Sequence, residues 1–284
     1  MKKQLFRLFT SVIGLSIFLL PGCKKATDYL KDNPTAAYCP CKIRQFNYAG
    51  SSVLGTQHGG TDTVRFTYNA AGDPVSGIRV HPGTGYPNWF FRYDGHGRLT
   101  DLIGLYGQTD EGFAESWNRY FYDGQDRIVK DSAYFFPGVV DNHPILDPLL
   151  FSSVDIFLYE YDAKNRVTKE ALVFGSGFTT TYSYDSRGNR IGPVYGLTSG
   201  KHSGPATAAY DDKINYHRTS KVWMFIDKDY SVNNPITATY HYNSFGLPVS
   251  IVPFTGTLQN FLSVSHTSYE FESATIEYDC NGAL

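Results

Sequence analysis

The chain has 284 residues, with 25 Lys and Arg against 27 Asp and Glu, a formal charge of −2, and 16% aromatic residues. No Lys/Arg cluster gives the footprint of a nucleic-acid binder, and the basic residues are too scattered for a polybasic membrane patch. The 27 Gly and 14 Pro are spread along the chain, as a fold with many turns requires.

The N-terminus reads as an export signal. Met1-Lys2-Lys3 and Arg7 form a basic start, Leu8 to Leu20 an apolar run, and Leu20-Pro21-Gly22-Cys23 a lipobox-like cleavage site. A helix of that run rises only about 20 Å, short for a bilayer and right for a signal peptide. Residues 1–22 are thus expected to be removed, with Cys23 as the lipid attachment point. Removal takes away Lys2, Lys3 and Arg7 and leaves a more acidic chain. Residues 23–38 read as a lipidated tether with few large apolar side chains, followed by a single β-domain over 39–284. The expected location is the cell envelope, anchored by lipid to the outer membrane and facing either the periplasm or the surface.

Cys39, Cys41 and Cys280 remain, an odd number for an oxidising compartment. A disulfide joining the first strand to the last would clamp the ends of the domain. Cys41 with Cys280 is the expected pair, with Cys39 to Cys280 as the alternative. Three thiols without a matching His spacing do not make a zinc site.

From Phe66 onward one unit recurs: an aromatic, any residue, Tyr, Asp or Asn, two variable residues, then Gly or a substitute. The seven copies are FTYNAAG, FRYDGHG, YFYDGQD, YEYDAKN, YSYDSRG, YHYNSFG and IEYDCNG, starting at Phe66, Phe91, Tyr120, Tyr159, Tyr182, Tyr240 and Ile276. The aromatic and Tyr lie two apart, hence on one face of a strand. The Asp or Asn starts a turn by accepting a backbone hydrogen bond. Four residues after each Tyr stand Gly72, Gly97, Asp126, Asn165, Gly188, Gly246 and Gly282, all residues that tolerate positive φ. The unit is therefore a β-hairpin closed through a left-handed residue. Arg98, Arg127, Arg166 and Arg190 begin return strands, either as solvated edge charges or with their stems along a neighbouring Tyr ring. No later stretch shows a capped helical period. With an eighth, degenerate unit near Tyr210, about fifteen strands are expected, forming one antiparallel meander. The sheet should twist and curve strongly, to the point of rolling towards a barrel.

Loops that interrupt such an array are natural binding sites. His81 to Trp89 presents Tyr86 and Trp89, read either as loop packing or as a sugar-stacking platform. Pro137 to Pro148 carries Asp141, His143 and Asp147, and Gly192 to Gly204 is rich in Gly, Ser and His. Asp227, Asp229, Ser231 and Asn233 alternate like the first half of a calcium loop. Gly at the sixth position and Glu at the twelfth are missing, which favours a polar turn and no metal. No paired His, nucleophile elbow or phosphate loop is present, so neither a catalytic residue nor a cofactor is assigned. Most aromatics occupy repeat positions and should fill the core.

The Tyr-Asp units resemble YD repeats, the motif of RHS-type β-repeat proteins, with copies spaced 23 to 58 residues apart. A second block, Tyr210-Asp-Asp-Lys213 with Trp223-Met-Phe-Ile-Asp227 and Asn233-Asn-Pro235, resembles uncharacterised lipoproteins of the Bacteroidota. The first resemblance implies a wound antiparallel sheet; the chain is too short to form the large shell of RHS toxins. The expectation is a non-catalytic envelope scaffold whose loops meet a glycan or an envelope protein. A polysaccharide hydrolase would instead need two carboxylates about 5 to 10 Å apart in a concave cleft. A third reading, an accessory part of an RHS-type toxin or secretion system, rests on the resemblance alone.

Overall fold

The computed structural model describes residues 23–38, 40–50, 60–109, 111–173, 177–197, 200–203, 209–255, 258–259 and 270–280. The expected signal peptide and Cys39 lie outside these. Helix α1 (Cys23–Asp32) precedes strand β1 (Cys41–Ala49). Three hairpins follow: β2 (Thr61–Tyr68) with β3 (Pro74–Arg79), β4 (Asn88–Tyr93) with β5 (Leu99–Leu105), and β6 (Ala114–Tyr122) with β7 (Ile128–Phe135). A small outlying hairpin, β8 (Gly138–Val140) with β9 (His143–Ile145), leads to β10 (Ser153–Tyr161), β11 (Val167–Leu172), β12 (Thr179–Tyr184), β13 (Arg190–Leu197) and β14 (Gly200–Ser203). The chain then leaves the sheet for α2 (Lys221–Ile226). It returns as β15 (Ala238–Tyr242), β16 (Pro248–Pro253), a short pair β17 (Leu258–Gln259) and β18 (Glu270–Phe271), and finally β19 (Ser273–Cys280).

One 15-stranded antiparallel sheet dominates, in the order β14-β13-β12-β11-β10-β7-β6-β5-β4-β3-β2-β1-β19-β16-β15. The meander expected from the hairpin units is present, and β19 pairs with β1 so that the last strand closes on the first. The sheet is not a closed barrel, because β14 and β15 remain as edges. Gly192 to Gly204, expected as a loop, contributes β13 and β14 instead.

The turns follow the expected chemistry. Gly72, Gly97, Gly188 and Gly246 have φ between 75° and 92°, and the substitutes Asp126 and Asn165 sit at 58° and 60°. In the hairpins β4–β5, β6–β7, β10–β11 and β12–β13 the Asp carboxylate accepts two backbone N–H groups; Asp94, for example, takes those of His96 at 2.9 Å and Arg98 at 3.0 Å. The repeat Tyr performs a second task. Its hydroxyl donates to the carbonyl at the start of the return strand one unit earlier: Tyr68 to Ile43, Tyr93 to Pro74, Tyr122 to Leu99, Tyr161 to Ile128, Tyr184 to Val167 and Tyr278 to Pro248, at 2.6 to 3.1 Å.

Residues 209–235 were expected to hold a degenerate hairpin. They form a plug inside the curve of the sheet. The run Val222 to Ile226 is apolar all round because it is buried all round, and Ser220 caps it by accepting from Val222 N. Trp223 packs on Phe66 and Phe91 with ring centroids 5.2 and 5.6 Å apart, and Phe225 on Tyr120 and Tyr159 at 5.5 and 5.3 Å. The repeat aromatics thus point at a common centre instead of only stacking on one another. Gly77 permits this near Phe66, since a Cβ there would lie 2.8 Å from the Phe66 ring.

The segment read as an unpacked tether contains α1, whose Leu30 is 1% exposed. Arg218, fully buried, donates to the carbonyls of Leu30, Asn33, Pro34 and Ala36 at and beyond the end of α1. A cation at a helix C-terminus meets both the free carbonyls and the negative end of the dipole. Desolvation lowers the Arg218 guanidinium to about 10.

Cys41 and Cys280 are disulfide-bonded across the β1–β19 pair, 239 residues apart in sequence. Loop entropy for such a closure is on the order of 5 kcal/mol. Cys41→Ser should lower the thermal midpoint markedly, and reductant should shift wild type but not the variant. A second substitution tests the unit contact. Tyr122→Phe removes one hydroxyl bond and should cost about 1 kcal/mol in urea unfolding, with the fold retained.

Candidate functional site

The hairpin turns line up along one end of the sheet and make a rim. Arg98 and Arg127, the first residues after two of these turns, bond their own Asp94 and Asp123 through Nε at 2.7 and 2.8 Å. Their guanidinium groups also lie over the next unit's tyrosines, Tyr122 at 4.8 Å and Tyr161 at 5.2 Å. The ring-stacking alternative for these arginines is the one the structure adopts. The backbone N–H and then the guanidinium of Arg98 hold Asp94 below the usual carboxylate range, and Arg127 does the same for Asp123.

Between this rim and α2 lies a cleft of about 450 Å³. Tyr93, Tyr122 and Tyr161 form its wall, Val222, Met224 and Phe225 its inner side, and His96, Gln125, Asp126 and Asn165 its lip. Successive wall tyrosines come from alternate strands, so they repeat about every 10 Å. Arg98 is held by both Asp94 and Asp126, and Arg127 by Asp123. The cleft therefore offers rings, amides and an imidazole, with its arginines already neutralised and with Lys221 and Asp73 as the further charged residues of its lining. Such a surface suits a neutral polyhydroxylated ligand or an uncharged peptide stretch.

Behind the cleft the plug carries a polar network. His217 Nε2 meets Asp227 Oδ2 at 2.8 Å, while Nδ1 lies 2.9 Å from Asn215 Oδ1 and 3.5 Å from Asp229 Oδ2. Burial raises Asp229, but Arg190, His217 and Ser231 outweigh it and hold the carboxyl at about 2. The adjoining cavity of about 90 Å³ has room for a few waters but not for a sugar ring. A second group joins plug to wall. Lys228 Nζ lies 3.7 Å from Glu170 Oε1, and Asp131, also buried, accepts from Asn118 Nδ2 at 2.7 Å.

The sequence candidates fall in different places. Tyr86 and Trp89 are 8% and 1% exposed, with Arg79 packed against both rings, so they form no sugar platform; loop packing is what the structure has. Arg79 is itself buried and paired with Asp62 at 2.8 Å. Asp141 and His143 are exposed on the β8–β9 hairpin and are not among the cleft's lining residues, and His143 Nδ1 meets Arg119 at 2.8 Å. Asp227, Asp229, Ser231 and Asn233 do not converge on one point: they face His217, Asn215, the Arg190 N–H and Asn189 respectively. Among the described residues no group of three His, Cys, Asp or Glu is arranged to hold a metal ion. Cys23 is the first residue of α1. Sequence reasoning missed the plug residues Arg218 and Phe225, although Ser220 before five apolar residues was a legible helix start.

No family model matches the chain, and no curated protein does. Among solved structures, a Bacteroides uniformis porin-like protein is similar over 84% of this chain and 98% of its own, at 11% identity and a TM-score of 0.39. A TcdB2-TccC3-Cdc42 structure is similar over 68% of this chain at 14% identity and a TM-score of 0.30, and a Photorhabdus luminescens Tc holotoxin pore over 68% at 13% and 0.30. The chain spans 10% of the length of each of these toxin chains.

Asp131 gives the wall–plug contact a pH dependence. Burial pushes its carboxyl from the usual 3.8 to about 7, against the pull of Asn118 and Lys228 and with Glu170 adding to the rise. The folded state holds a proton that the unfolded chain releases, so this contribution is full below about pH 4 and is lost as pH rises through about 7. Asp131→Asn should leave stability unchanged near pH 4 and raise it near pH 8, by on the order of 3 kcal/mol in urea unfolding.

Proposed function

We propose that this chain is a lipid-anchored cell-envelope protein of the YD-repeat type, a non-catalytic β-scaffold that presents its turn-end cleft to a glycan or a protein. The observation that carries the reading is the repeated unit. Each Asp closes a turn, each Tyr ties that turn to its neighbour, and the arginines along the rim are paired with carboxylates. The rim is thereby a stiff wall of rings and amides, with no activated nucleophile among the cleft residues. The buried perturbed carboxyls Asp131 and Asp229 lie in the wall–plug contact and beside the small cavity, away from the cleft, while Asp94 and Asp123 on the rim are each bonded to an arginine.

The anchoring part rests on the lipobox-like Leu20 to Cys23 and on the position of Cys23. Because α1 starts at Cys23 and docks through Leu30 and Arg218, a lipid there would hold the domain close to the bilayer. Cells fed a clickable fatty acid should label the protein, and the label should disappear in Cys23→Ala together with membrane retention. A wild-type chain shed without lipid would overturn the anchor. Recognition is tested separately, by oligosaccharide and peptide panels on wild type and on His96→Ala/Gln125→Ala, a lip variant that spares the tyrosines and the left-handed Asn165 and should lose whatever wild type binds.

A further inference from the structure

The largest exposed apolar side chains stand outside the cleft, on the insertion between β7 and β10. Phe151 is 92% and Leu149 87% exposed, with Leu146, Val140, Val139 and Ile145 at 41 to 53% beside them in sequence. Isolated exposed apolar residues are ordinary, whereas a contiguous group on a protruding segment marks an interaction site. The segment is held in shape. Asp147 caps the turn over Pro148–Leu150 by accepting from Leu149 N at 2.9 Å. Leu150 N donates to Asp147 O, Phe151 N to Pro148 O and Ser152 N to Asp147 O.

Two properties select the partner. The first is the backbone: from Pro148 to Ser152 every N–H is either missing, at the proline, or bonded within the turn. The preceding β8–β9 hairpin pairs its own strands through Asp141-Asn142, both at positive φ in the manner of a type I′ turn. A segment with its donors already satisfied leaves water for an apolar boundary at a reduced penalty, since only carbonyls still need hydration. The second is charge. No Lys or Arg occurs between Lys130 and Lys164, and Asp147 is turned inward as the cap. Arg92 and Arg119 reach the β8–β9 hairpin, at Asn142 O and His143 Nδ1. The Leu146–Phe151 turn itself therefore carries no positive charge for an anionic surface to attract. Phe151 holds φ at 52°, a left-handed conformation unfavourable for a non-glycine residue that the surrounding bonds impose.

The geometry points to the Leu146–Phe151 turn as an interfacial insertion tip for a neutral lipid bilayer, a second membrane contact independent of the N-terminal lipid. A turn of six residues reaches only the acyl boundary, so this contact is shallow and reversible. Leu149 and Phe151 enter the acyl boundary, and Leu146 and Val140 lie at headgroup level.

The test places a reporter on the tip of the full chain. Trp89, Trp117 and Trp223 are buried, so a Phe151→Trp substitution adds a distinguishable exposed indole. With phosphatidylcholine vesicles its emission should shift to the blue and be quenched by lipids brominated on the acyl chain, equally at low and high salt. Adding Leu146→Ser and Leu149→Ser should weaken that quenching roughly tenfold. The thermal midpoint should not move, since all three positions are exposed. Unchanged emission at saturating lipid overturns the proposal. So does a shift that needs anionic lipid, or one that grows with protein concentration in the absence of vesicles, which would make the tip a contact between copies.

Discussion

The rest of the structure depends on one hydrogen bond repeated around the domain, from a tyrosine hydroxyl to the carbonyl that opens the previous unit's return strand. The strand ladder pairs neighbouring strands but leaves β14 and β15 as edges. The tyrosine contacts run further. Tyr210, in the plug segment, donates to Arg190 O at 2.6 Å as though it belonged to the next hairpin. Tyr242 then donates to the Asp211 carboxylate, and Tyr278 to Pro248, beside the strand that carries Ile43. The circle of hydroxyl contacts is thus complete where the sheet is not. Each bond contributes about 1 kcal/mol net. Their larger effect is to fix the angle between units, because a hydroxyl two ring-lengths from its strand reaches one carbonyl only.

The plug uses what this circle leaves inside. Each unit turns its first residue inward, an aromatic in all but the last, which has Ile276, and a curved wall of such side chains needs filling material of fixed size. Trp223 and Phe225 supply it for β2, β4, β6 and β10, while Tyr230 meets Tyr184 of β12 and Tyr216 meets Phe46 of β1. Charged groups occupy the places where the plug must be oriented as well as filled. Lys228 faces Glu170 on one side, and Arg218 takes four carbonyls of the α1 region on the other. The N-terminal segment, the plug and the wall are therefore one packed body.

The parts of this fold that repeat were legible in the sequence, and of those that occur once only the disulfide was. Asp126 and Asn165 stood where only left-handed-tolerant residues belong, and that locates two turns without a structure. The Cys41–Cys280 disulfide followed from the need to close the ends of the array. Trp223-Met-Phe-Ile offered no period, because a segment enclosed on every side has no polar face to alternate with. Tyr86 and Trp89 looked available for the same reason in reverse: a Gly/Pro-rich loop can fold back over its own rings, and Arg79 sits against them. The candidate cleft was hidden because it is made of conforming units. It was sought where the repeat breaks, and it lies where several copies stand side by side.

A plug of fixed girth also limits how the gene can grow. One more hairpin would add about 10 Å to the circumference, and the inward rings would draw away from Trp223 and Phe225. Duplication of a unit, the easiest change for a tandem array, would leave a void at its centre. The plug therefore acts as a gauge of repeat number, and variation in length should fall on the loops between units instead of on the count of units.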